Sequence, residues 1–457
     1  MRRIGWVGAL LGAALLCACP GTELEGEAGG GEETHGDDGD DGDDGAGWNI
    51  VQSELPRDIH PMPTPEEMAA LAGDQLELAL DLYHALRTDP ANQSFCVSAY
   101  SLQHMFGMLY GGSSGVAKAQ MQAALRFSLA DDRQHVALNW QELELAERNI
   151  DAIEGSADPL SPLVLRTVNG FWLEQELGAA VETDYLDLLG VNYGAGINLA
   201  DFSSDQAADT ERQAINAWLS ERTNGELSAV VPDGALDERT TAVVANALVL
   251  EAPWMAPFAM DKTAKHPFRL GDGSEVAVDM MSNPALEARY TRGPDFAALA
   301  IPLRGVALEL VLVVPEGELE AFEAGLDAAG VTALLEDLNW EQVDTQVPRF
   351  QLRSALPLTS VLADQLNMPA PFNDPGAFTG IVGEGIGVLD AVFHDSVIAV
   401  DEHGLEAAPG SGAVAASTAT ADPAYAFSAD EPFIVMIHDR PTRTLLLLGR
   451  VLDPREP

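Results

Sequence analysis

Apolar side chains recur along this chain with two different periods. Leu71, Leu78, Leu82 and Leu86 repeat at roughly helical spacing behind Thr64-Pro65-Glu66-Glu67. That start combines a capping side chain, a first-turn proline and acids at the positive end of the helix dipole, so a helix to about Thr88 is predicted. A second helix follows over residues 100–110, entered through Ser98-Ala99-Tyr100-Ser101-Leu102. A third is expected over residues 207–224, with Ile215, Trp218 and Leu219 on one face and Gly225 as its stop. Residues 166–173 and 308–315 read as strands, and residues 241–250 form an almost unbroken apolar run around Asn246. Such a run predicts a strand covered on both faces.

The pattern changes after Val400. An apolar stretch, residues 397–400, leads into roughly twenty small residues without Lys or Arg, ending near Ala421. Small residues cannot build a core of their own, so an exposed loop is one reading. With period 2, however, Leu405, Ala407, Ser411, Ala413 and Ala415 share one face and Glu406 takes the other, so the segment could also serve as a strand.

Glu402-x-Gly404-x-Glu406-Ala407-Ala408 resembles the hinge of the serpin reactive-centre loop. Residues 432–437 and 444–451 resemble the paired C-terminal strands of that family, and residues 166–173 its central strand. Ser98-Ala99-Tyr100-Ser101 is similar to its Ser-Pro-x-Ser element with Ala99 in place of Pro; Trp254 matches the Trp at the top of the main sheet, without the Lys-Gly that usually precedes it. Val347-Pro348-Arg349-Phe350 resembles another strand of the family, and the likeness runs in order from about residue 68 to 453. It implies an α+β serpin fold: a large central mixed sheet, additional sheets, about eight or nine helices and an exposed loop near the C-terminus. It implies a suicide-substrate inhibitor of a serine or cysteine peptidase, working as a monomer. Ser98, Ser101, Asn246 and His394 would form the polar cluster beneath the strands that part for loop insertion.

Counting from Glu402 at the family's spacing puts the cleaved bond at Thr418-Ala419; counting back from Phe433 puts it at Ala421-Asp422. Either bond follows a small uncharged residue, which implies an elastase-like or subtilisin-like target. Leu405 and Pro409 depart from what inhibitory members prefer, because Pro lacks the N–H that a central strand requires. A non-inhibitory binding or structural protein with the same fold, its loop cut without trapping, is therefore the alternative.

Composition narrows the partners. A net charge of -48 argues strongly against nucleic acid as a partner, since phosphate binding needs a basic face. Met1-Arg2-Arg3 and the apolar residues 4–16 read as a signal peptide, residues 1–18. Leu16-Cys17-Ala18-Cys19 resembles a bacterial lipobox, which implies a lipid on Cys19 and an exported protein held at the cell envelope or surface, or released from it; ordinary secretory cleavage is the other reading. Residues 19–62, rich in Gly, Asp and Glu, are expected to form an extended tether, with the folded domain over residues 63–457. Their carboxylates lack the Glu that completes a calcium loop. With only Cys17, Cys19 and Cys96, no disulfide framework is available. Gly111-Gly112-Ser113-Ser114-Gly115 spells the nucleophile-elbow pattern, but a helical stretch precedes it where the elbow needs a strand. No metal, cofactor or catalytic constellation is expected.

Overall fold

The computed structural model describes residues 47–89, 93–151, 161–225, 227, 229–383, 385–389, 392–405 and 423–455. Cys19 and the signal peptide, Glu406, Ala407, Ala408 and Pro409, and both candidate bonds (Thr418-Ala419 and Ala421-Asp422) lie outside them. The described residues belong to one unit, Gly45–Pro457.

Two sheets organise it. The first has seven strands in the spatial order Asn49–Val51, Ile197–Ala200, Val164–Glu174, Ala242–Pro253, Gly404–Leu405, Phe393–Val400, Phe350–Pro357. Its middle strand, Ala242–Pro253, is buried along its length except at Glu251, as the apolar run predicted. Successive side chains point to opposite faces. Val243, Ala245 and Ala247 pack into a cluster with Ile215, Trp218 and Leu219 of the helix Asp205–Arg222. Leu248, Leu250 and Ala252 face the other way, into a core shared with the second sheet.

That second sheet has nine strands, and Phe433–Asp439 and Thr444–Val451 lie antiparallel within it. Every residue of both is buried. The helix Pro65–Leu86 starts on a full capping box, Thr64 and Glu67 bonding each other's backbone N–H, and it packs into the largest core cluster with the helix Ala99–Gly112. Among the described residues there are ten α-helical segments, slightly more than expected; the excess consists of pieces as short as Leu358–Ser360 and Ala370–Asn373.

One boundary is corrected. The tether expected to run to residue 62 ends earlier, because Asn49–Val51 pairs antiparallel with Ile197–Ala200 at the sheet edge. Three residues carry no readable periodicity; their partner makes them a strand.

Gly449 stands opposite Cys96 on the neighbouring strand of the second sheet, and the two backbones come close there. A Cβ there would stand 2.4 Å from the Phe95 carbonyl oxygen and 3.0 Å from the Cα of Cys96. Overpacking of this kind costs about 1–3 kcal/mol. Gly449→Ala should lower the midpoint of thermal unfolding by a matching amount, read by circular dichroism.

Candidate functional site: the split at the sheet centre

The strands Ala242–Pro253 and Phe393–Val400 run parallel and pair directly at three positions: Phe393 with Ala245, His394 with Asn246 and Asp395 with Ala247. At the other end Gly404–Leu405 lies between them, antiparallel to both. Leu405 stands opposite Val400 on one side and Ala252 on the other, and Gly404 opposite Pro253. Leu405 is 1% exposed and belongs to the apolar core with Leu250, Ile398 and Val400. A Cβ at Gly404 would come within 2.2 Å of the Ala252 carbonyl oxygen, so only glycine fits. The first two residues of the loop's approach are thus already strand. Leu405, standing where the resemblance implies a small or β-branched residue, fills apolar space there.

The preceding turn is anchored at several points. Trp254 lies at this head of the split; its backbone N–H donates to the His403 carbonyl at 2.8 Å and its indole N–H to the Asp401 carbonyl at 2.8 Å. Asp401 Oδ1 accepts from the His403 backbone N–H at 2.7 Å. Glu402 is 1% exposed, yet it is charged, because Arg349 donates to both carboxylate oxygens, at 2.8 and 2.6 Å, and the Thr263 hydroxyl donates to one of them. Burial pushes the Glu402 carboxyl up, but the Arg349 and Thr263 hydrogen bonds outweigh it and hold the group below its ordinary value. Removing the partly exposed Arg349 would leave the buried Glu402 charge unpaired, which is more damaging than the pair is stabilising. Arg349 was visible in the sequence as a position of likeness, but nothing there tied it, or Thr263, to Glu402.

Ser98, Ser101, Asn246 and His394 lie together at the foot of the split, each no more than 2% exposed. Ser98 caps the helix Ala99–Gly112, its hydroxyl oxygen accepting from the Ser101 backbone N–H at 3.0 Å. The Ser101 hydroxyl donates to Asn246 Oδ1, and the Ser98 backbone N–H donates to His394 Nε2 at 3.3 Å. Asn246 passes the chain onward, its amide donating to Asn169 Oδ1 at 2.7 Å on the next strand. Asn169 was not among the sequence candidates, since nothing local distinguishes it from any polar residue on a strand. Beside the cluster the Cys96 backbone N–H donates to Ser354 Oγ at 2.8 Å, and Ser396 Oγ donates to the Cys96 carbonyl at 3.1 Å. Burial lowers the His394 imidazole to about 4, so it is neutral at pH 7.

Ser113 takes no part in such chemistry. It ends the helix Ala99–Gly112, its hydroxyl donating to the Tyr110 carbonyl at 2.7 Å, and the neighbouring Ser114 opens the next helix. Between the two strands, then, stands a polar cluster at the foot, a buried leucine at the head and a turn held by an ion pair. That arrangement closes a sheet without completing it.

Comparison with known proteins gives this split its context. An uncharacterized serpin-like protein of Thermococcus kodakarensis is 31% identical over 381 residues, covering 82% of this chain and 84% of that protein. The leukocyte elastase inhibitor of Sus scrofa is 29% identical over 398 residues, covering 85% of this chain and 100% of its own length. The structure of uncleaved ovalbumin superposes with a TM-score of 0.72 at 20% identity, covering 84% of this chain and 100% of that one. Residues 74–454 match the family described as Serpin (serine protease inhibitor), and this chain belongs to it.

Proposed function

We propose that the protein inhibits serine-type endopeptidases as a suicide substrate. The observation that carries this reading is the register of Leu405 between Ala252 and Val400. Each further residue of an inserted loop would step one place back along both neighbours. Ala407 would then meet Leu250 and Ile398, and Ser411 would meet Asn246 and His394, the pair that now closes the foot. One continuous strand therefore fits both ends of the split without a shift in register.

The peptidase's nucleophile attacks the Thr418 carbonyl, forms an ester and releases the amine of Ala419. The loop then inserts, carrying the attached enzyme with it. A net backbone hydrogen bond contributes about 0.5–1.5 kcal/mol, so about a dozen of them plus apolar burial would supply the drive for insertion. Small residues before the bond and the likeness to a leukocyte elastase inhibitor favour an elastase-like target, with a subtilisin-like one as a further candidate. The Cys19 lipid would hold the inhibitor at the cell envelope. The alternative, a fold of this kind cut without trapping, is favoured by Pro409. In the same register Pro409 would stand between Leu248 and Ser396, where a central strand must donate an N–H.

Mixing the protein with an elastase-like peptidase should give an adduct that survives denaturing gels, with a released peptide beginning at Ala419. Cleavage without an adduct, and without a rise in melting temperature, would establish the non-inhibitory alternative. Pro409→Ala should raise the fraction of peptidase trapped per loop cleaved, because faster insertion leaves less time for hydrolysis of the ester. The closed foot should also be acid-sensitive. An unfolded His394 takes up a proton below about 6.5 and the folded one only below about 4. Its contribution is thus complete above pH 6.5 and is lost as the pH falls towards 4, by about 3 kcal/mol in total. His394→Gln should flatten the dependence of the melting temperature on pH across that window.

A further inference from the structure

The segment from Gly47 to Asp58 touches five elements, among them the strand Val164–Glu174 and the helix Asp131–Ala146. Trp48 packs edge-on against Trp172, ring centres 5.6 Å apart, and Trp172 packs in turn against Trp218 of the helix Asp205–Arg222 at 5.1 Å. The Trp48 indole N–H donates to Glu211 Oε2 on the same helix at 2.6 Å. Asn49–Val51 extends the sheet edge beside Ile197–Ala200. The Ser53 hydroxyl donates to Asp187 Oδ1 at 2.5 Å, on the helix Thr183–Tyr193. Arg57 closes the far end, donating to Asn139 Oδ1 at 2.9 Å and Glu142 Oε2 at 2.7 Å.

The surface beneath is shaped for this contact. A Cβ at Gly190 would come within 2.8 Å of the Ser53 Cβ, and one at Gly196 within 2.7 Å of the Ile50 side chain and 3.0 Å of the Val51 carbonyl. Backbone approaches that close are open only to glycine.

We infer that residues 47–58 form a strap that holds the helix Asp205–Arg222 to the sheet edge and slows entry of the loop into the uncleaved molecule. The inference rests on the insertion reading given above. To admit a new strand, Ala242–Pro253 and everything on its edge side must move away from Phe393–Val400. The helix Asp205–Arg222 lies across that line, because its core cluster takes in Ala245 and Ala247 on one side and Phe393 and Val397 on the other. The strap bonds the helix through Glu211 and the edge through Asn49–Val51, so neither can shift without breaking or dragging it. It stabilises the open-loop state while leaving the loop itself untouched.

The test uses the full chain carrying Trp48→Ala or, separately, Arg57→Ala, two changes at half-buried positions at opposite ends of the strap. Hydrogen exchange would be followed in Ile197–Ala200 and Asp205–Arg222. The uncleaved proteins would also be warmed and followed for conversion to a heat-stable form that no longer traps peptidase. Both variants should exchange faster in these two elements, and Trp48→Ala should convert about tenfold faster or more, the effect of roughly 1.4 kcal/mol on the barrier. Unchanged exchange in both variants would overturn the strap as a structural tie. Faster exchange with an unchanged conversion rate would overturn its control of insertion. Wild-type protein cleaved in the loop serves as the separate check. If its melting temperature does not rise, the insertion reading has failed and control of insertion falls with it. If it rises while the variants convert no faster, only the strap is wrong.

Discussion

The structure depends on a pair of parallel strands that meet along only part of their length. Ala242–Pro253 and Phe393–Val400 pair directly through three residues at one end, and two residues of another segment separate them at the other. Backbone groups along such a split are strongly polar and seek a partner. At the head of the split that partner is the chain's own Gly404–Leu405. The groups described around the split hold it shut at both ends.

Holding it shut falls to groups that are costly to bury and therefore specific in geometry. At the foot, Ser101, Asn246 and Asn169 form a hydrogen-bonded line across three elements, with neutral His394 fastened to the Ser98 backbone. At the head, the Glu402 charge is matched by Arg349. The same economy recurs through the molecule. The chain has 24 Lys and Arg against 72 Asp and Glu, so most carboxylates have no cation to pair with and must stay in water. The buried ones take the available cations: Arg289 serves Glu309, Arg450 serves Glu323 and Arg148 serves Asp439. A high acidic charge on the surface thus coexists with a core in which the ions described are paired.

Several elements could be read directly from the chain. The capped helix at Thr64, the doubly covered strand through Asn246 and the two buried strands near the C-terminus are local patterns, set by capping chemistry and by the burial of contiguous apolar residues. That Ser98, Ser101, Asn246 and His394 lie together was legible only through likeness to a family, which carries spatial information that a single sequence lacks. What remained hidden was pairing across long separations. Nothing near Glu402 names Arg349 or Thr263 as its partners, and nothing in Trp48-Asn49-Ile50-Val51 marks a strand. Those residues acquire their roles from surfaces 50 or more positions away in the chain. Local periodicity and charge specify which segments can be helix or strand. Only the tertiary structure decides which buried charge meets which cation and which edge receives a stray strand, because both depend on distances that the chain sets only when it closes on itself.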